Sequence, residues 1–144
     1  MNLVKITFVL ESSKPHCPFD FTVSLDGSEV ARVSGFDHNH RVDIEVPLED
    51  GNHAMVLEMQ GKTSEHTVLD DQGIIVDDVL VTVSDLRLDD LVMGQTFLDN
   101  ANYSHSFNGT AEPIVEKFSG HMGCNGTVTF KFSTPTYIWL LENL

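Results

Sequence analysis

Apolar residues fall at every second position along several short stretches of this chain. Phe21-Thr22-Val23-Ser24-Leu25, Val42-Asp43-Ile44-Glu45-Val46 and Val128-Thr129-Phe130-Lys131-Phe132 are the clearest. A period of two belongs to strands with one buried and one wet face. The pattern predicts a first strand over residues 1–10 and a second over 19–25. Asp26-Gly27 then turns the chain into a third strand over 29–34, which makes a hairpin. Further strands are expected over 41–46 and over 53–59, where Met55, Leu57 and Met59 share a face. In residues 79–88 the rhythm slips: Val79, Val81 and Val83 mark one parity, Leu86 and Leu88 the other. One extra residue near Ser84-Asp85, a β-bulge, restores the phase. Residues 73–76, 93–98 and 103–107 read as short strands, and 111–118 as one helical turn.

The last stretch breaks the alternation. Tyr137, Ile138, Trp139, Leu140 and Leu141 are apolar without interruption. As an outer strand they point to both faces, so alternate members are expected to meet a partner, with Trp139 as anchor. The competing expectation is a central strand covered on both sides. Together the segments predict an all-β fold, an antiparallel β-sandwich or jelly roll, as a single domain over 1–144 with 134–144 as an assembly strand. Val23, Leu25, Val42, Ile44, Val46, Met55, Leu57, Val81, Val83, Val128, Phe130 and Phe132 are the expected core.

Charge narrows the partners. Twenty-two Asp and Glu face eight Lys and Arg, a net charge of −14. Such a surface repels phosphate backbones and anionic headgroups, which argues against nucleic acid and membrane as partners. The N-terminal stretch lacks the features of an export signal, and no segment has the length of a membrane span. Synthesis in a cytoplasm is expected. Asn102, Asn108 and Asn125 begin sequons, but without export Asn108-Gly109 and Asn125-Gly126 read as tight turns. Cys17 and Cys124, the two cysteines, are expected as free thiols, with a disulfide as the alternative.

The loop over 61–78 is the longest polar connection and the expected home of function. Its Asp70-Asp71 and Asp77-Asp78 pairs are candidate calcium ligands, as is the later pair Asp89-Asp90, because calcium gathers loop carboxylates and carbonyls. None has EF-hand spacing, and aspartates also cap turns and guard strand edges. Asp37-His38-Asn39-His40 offers two imidazoles to zinc, with His53, His66, His105 and His121 as further ligands of unknown position. Phe36, Tyr103, Phe107, Tyr137 and Trp139 are the aromatics available to stack on a sugar. No nucleophile elbow, Cys-x-x-Cys, phosphate-binding loop or zinc-protease motif occurs, so no enzyme and no cofactor other than calcium is expected.

Two resemblances add context. Phe19 to Met59, with Val23-Ser24-Leu25-Asp26-Gly27 and Val42-Asp43-Ile44-Glu45-Val46-Pro47, resembles β-sandwiches of the carbohydrate-binding-module type. Phe107-Asn108-Gly109-Thr110, Gly120-His121-Met122-Gly123-Cys124-Asn125-Gly126-Thr127 and the ending from Thr134 to Leu144 resemble small proteins of marine tailed phages. The phage resemblance implies a non-enzymatic virion structural or accessory protein, a head decoration or a tail or fibre part. It would be made in the host cytoplasm and would assemble with other virion proteins or with copies of itself. The first resemblance implies the alternative, a module that binds host surface glycans with or without calcium.

Overall fold

Burial along residues 19–25 alternates strictly, with Phe19, Phe21, Val23 and Leu25 inside and the residues between them further out. That is the sequence period turned into packing. The computed structural model describes residues 2–14, 18–36, 39–63, 66–107, 109 and 111–143. In chain order it comprises β1 (Asn2–Ser12), β2 (Phe19–Leu25), β3 (Ser28–Phe36), β4 (Asn39–Leu48) and β5 (Gly51–Gln60). A small hairpin of β6 (Val68–Leu69) and β7 (Ile75–Asp77) follows, then β8 (Val81–Leu88), β9 (Leu91–Val92) and the short helix α1 (Gln95–Asp99). β10 (Ala101–His105), β11 (Ile114–Lys117), β12 (His121–Met122), β13 (Gly126–Thr134) and helix α2 (Thr136–Glu142) complete the chain.

The strands form an antiparallel β-sandwich. One sheet runs β12-β8-β1-β4, with β9 added to β8, and the other runs β11-β10-β13-β5-β2-β3. The inward residues of both make one hydrophobic cluster, in which Ile6, Leu10, Phe21, Val23, Met55, Val81, Leu88, Val128 and Phe130 are fully enclosed. Of the expected core only Val46 is less than fully buried, packed at its margin. Asp26 and Gly27 both take positive φ, the turn that matches the twist of a two-residue hairpin. The bulge is present as well: Val9 pairs with Ser84 and Thr7 with Arg87, so Asp85 and Leu86 together oppose Phe8. Asp85 absorbs the irregularity at φ 53°.

Three expectations are corrected. Residues 93–98 contribute to helix α1 instead of a strand, since Met93, Thr96 and Phe97 are the buried positions and that spacing is helical. Residues 114–117 form an exposed edge strand on β10 rather than a helical turn. Residues 136–142 are a helix and no strand. Thr136 and Trp139 turn inward and Leu140 packs against the core, while Tyr137, Ile138 and Leu141 stay exposed. Seven residues, just under two turns, leave too few positions for helical periodicity to stand out in an apolar run.

Candidate functional site

The β2–β3 turn, the first residues of β5 and the last of β13 lie side by side, because β5 pairs with both β2 and β13. Beside them stands Asn100, whose carbonyl accepts from the Lys131 backbone N–H at 3.1 Å. Helix α2 lays Trp139 against Phe130 and Phe132, with ring centroids 5.8 and 6.4 Å apart. Between these elements is a pocket of about 460 Å³. Asn52, His53, Lys131 and Ser133 supply its polar wall, with Asp26 and Asn100 at the edge and Phe132 and Trp139 as the apolar wall.

His53 is the best-anchored group there. Its Nδ1 lies 2.6 Å from Asp26 Oδ2 and its Nε2 2.7 Å from the Glu49 carbonyl oxygen. Two acceptors on one imidazole favour the doubly protonated ring. Burial acts against that charge, but the Asp26 bond, the Glu49 carbonyl and the Asp26 charge outweigh it and raise the His53 pKa. Burial likewise opposes the Asp26 carboxylate. The His53 bond, the Ala54 N–H donated to Oδ1 at 2.9 Å and the His53 charge nonetheless hold its pKa below the usual value.

Hydrogen bonds inside the wall determine what remains for a ligand. Ser133 Oγ donates to Asn52 Oδ1 at 2.5 Å, and Asn100 Nδ2 donates to the Thr96 carbonyl at 2.8 Å. Among the described residues, the Asn52 amide nitrogen, the Asn100 side-chain oxygen and the spare lone pairs of Ser133 have no partner, so donors and acceptors stand side by side.

The cations are otherwise neutralised. Lys5 pairs with Asp90, Lys14 with Asp77, Arg32 with Glu29 and Arg41 with Asp43. Lys62 pairs with Asp78, Arg87 with Asp85 and Lys117 with Asp99. Lys131 is exposed and has no acidic partner among the described residues.

Of the candidate calcium ligands, Asp70, Asp71, Asp77 and Asp78 lie on or next to the β6–β7 hairpin and Asp89 and Asp90 in the turn between β8 and β9, all away from this pocket's lining. Asp70 Oδ1 closes the hairpin turn by accepting from the backbone of Gln72 and Ile74, each at 2.9 Å. Asp71 is exposed in the turn. Asp77 binds Lys14, and Asp78 binds Lys62 at 2.6 Å and Thr67 at 2.9 Å. Calcium takes six to eight oxygens. Among the described residues no three His, Cys, Asp or Glu side chains converge in that way, and three of these four carboxylates serve separate protein donors. This donor set does not fit the ion as it stands.

Asp37 and His38 of the zinc candidate lie outside the described residues, as do Cys17 and Asn108. The other histidines are dispersed: His66 lies tilted against Phe19 with ring centroids 5.2 Å apart, His105 contacts Glu116 at 3.1 Å, and His121 bonds Thr82 at 2.9 Å. Cys124 is a free thiol. Burial raises its pKa despite the nearby Lys62 charge, which makes it a poor nucleophile. Tyr103 fastens the same segment: its hydroxyl donates to the Cys124 carbonyl and accepts the Cys124 N–H at 2.9 Å. Burial pushes its pKa up to about 12. Tyr103 is therefore core rather than a sugar platform. Sequence reasoning named Trp139 and His53 without placing them, and it missed Asn52, Asn100, Lys131 and Ser133. Asn52, Lys131 and Ser133 come together through the register of β5 and β13, and Asn100 joins them from the end of α1, which no local pattern announces.

No protein-family model matches the sequence, and no curated protein matches it significantly. Among solved structures it is similar to a selenomethionine form of vCBM60, described in connection with a circular permutation linking two families of calcium-dependent carbohydrate-binding modules. The TM-score is 0.53 at 10% identity, over 88% of this chain and 89% of that one. vCBM60 in complex with galactobiose gives a TM-score of 0.47 at 12% identity, over 88% and 96% of the two chains. At such low identity the first likeness establishes a shared fold: this chain is built as a β-sandwich of the kind found in carbohydrate-binding modules.

Proposed function

We propose that the chain is a non-catalytic module that binds a saccharide in the pocket between β5, β13 and α2. The observation that carries this reading is the pocket's polar wall, where the Asn52 amide nitrogen, the Asn100 side-chain oxygen and the Ser133 lone pairs stand at a pocket whose apolar lining, Phe132 and Trp139, is itself part of the core. Saccharides present hydroxyls that both donate and accept, together with apolar C–H faces, and such mixed walls in pockets of roughly 300–1,000 Å³ suit them. The solved neighbour's description as a carbohydrate-binding module supports the same reading. Affinity electrophoresis against a panel of neutral and acidic polysaccharides tests it. Retention by at least one polymer, abolished in Asn52→Ala/Ser133→Ala without loss of folding, is expected. A folded protein retarded by none overturns the reading. Calcium is tested separately. Because Asp70, Asp77 and Asp78 already serve protein donors, millimolar calcium at constant ionic strength should leave Tm unchanged. A rise reversed by chelation would instead place an ion on the native state.

A second reading has its own observation. Tyr137, Ile138 and Leu141 form an exposed apolar strip on α2, and such strips mark contact surfaces. On this reading the protein is a virion component, made in the host cytoplasm and joined through α2 to other virion proteins or to copies of itself. Mass spectrometry of purified particles decides it: the protein is present at structural stoichiometry, or the reading falls.

A further inference from the structure

We propose that the saccharide is anionic, bearing a carboxylate or sulfate that Lys131 binds. This rests on the pocket being a saccharide site. In a chain with twenty-two acidic and eight basic side chains, an ammonium finds a carboxylate almost everywhere, and every other Lys and Arg has one. Lys131 is the exception among the described residues, and it lines the pocket. Its position explains why. Across the ladder it faces Ala54, which carries no charge, and its backbone N–H is held by the Asn100 carbonyl. The acid among the pocket residues, Asp26, is already bound by His53 and the Ala54 N–H. Lys131 therefore stands next to uncharged donors and acceptors, Asn52 and Ser133, that fit the hydroxyls beside an acidic substituent.

The net charge of −14 opposes the approach of an anion, but at physiological salt that field is screened beyond about 8 Å. Within contact range the nearest charge decides, and a charge-assisted bond to an ammonium is among the stronger polar contacts. A neutral sugar would leave that contact unused.

Calorimetric titration with tri-galacturonate, a sulfated galactotriose and neutral galactotriose tests this, on the wild type, Lys131→Gln and Lys117→Gln. Lys117 is the control, an exposed lysine already paired with Asp99. The wild type should bind at least one anionic probe about tenfold more tightly than the neutral one. Lys131→Gln should bring the affinities together while Lys117→Gln preserves the gap. Preference for tri-galacturonate identifies a carboxylate as the bound group, and preference for the sulfated probe identifies a sulfate. Equal binding of all three probes, or a preference that survives Lys131→Gln, overturns the anionic assignment and leaves the saccharide reading standing. If no probe binds and no polysaccharide of the panel retards the protein, both fall.

Discussion

Gly126 shows how much one residue can decide. The Asn-Gly pair at 125–126 reads as a turn, yet Gly126 lies in β13 opposite His105 and Met59 and is not among the positive-φ glycines. The glycine is required by space. A Cβ there would be driven into the Ser104 carbonyl oxygen and would lie 2.9 Å from His105 Cβ. Asn125 likewise bridges rather than turns, accepting the Lys62 N–H and donating to the Lys62 carbonyl, both at 2.9 Å. Gly126→Ala should cost about 2 kcal/mol or more, in the range of backbone-level clashes, and chemical denaturation measures it. His53 gives a second prediction at this scale. Its folded pKa is raised, so the stability it contributes is complete below the unfolded value of 6.5 and is lost as pH rises through the folded pKa. Asp26 has the opposite sign, contributing above 3.8 and losing that contribution as pH falls through its depressed pKa. Tm should therefore decline as pH rises above 6.5, and His53→Gln should flatten that decline. An unchanged slope in the variant would remove His53 as its source.

Among elements, the long strands were legible, whereas the helices and the short strands β6, β9, β11 and β12 were not. β2, β4 and β13 alternate over enough residues for their period to be counted, and even the bulge in β8 left a trace as a parity slip. α1 and α2 each span less than two turns, so three inward positions at helical spacing look the same as a short apolar run. The pocket was less legible still, because Asn52 meets Ser133 only through the pairing of β5 with β13. For α2 the helix divides the apolar run by role. Trp139 belongs to the core against Phe130, whereas Tyr137, Ile138 and Leu141 face outward. Trp139→Ala should cost about 3–5 kcal/mol by emptying a core site. Tyr137→Ser/Ile138→Ser/Leu141→Ser should fold normally and, if α2 is an assembly surface, sediment as a smaller species than the wild type. Identical sedimentation of the two proteins would show that α2 does not mediate self-association.

At the scale of the whole molecule, stability is unevenly distributed. The two sheets share one core, but the hairpin over 68–77 stands apart from it, with Val68, Leu69, Ile74, Ile75 and Val76 all exposed. A two-stranded unit of this size has little stability of its own in water. What holds it lies at its base. The Lys62 ammonium is almost fully enclosed and donates to the Val79 carbonyl at 3.0 Å, to the Gly123 carbonyl and to Asp78. The exposed Lys14–Asp77 pair adds a second, weaker hold. The consequence is a gradient of local unfolding along a few residues. Backbone amides at the tip, near Gly73, should exchange with solvent almost freely, and those next to Val79 only on global opening. Lys62→Met would remove the enclosed charge, leave Asp78 with the Thr67 hydroxyl and the Val79 N–H but without its cation, and take a donor from the Val79 and Gly123 carbonyls. In hydrogen–deuterium exchange, protection around Val79 should then fall toward that of the tip while β1 and β13 keep theirs. Uniform loss across all strands would instead mean that the hairpin and the sandwich open together.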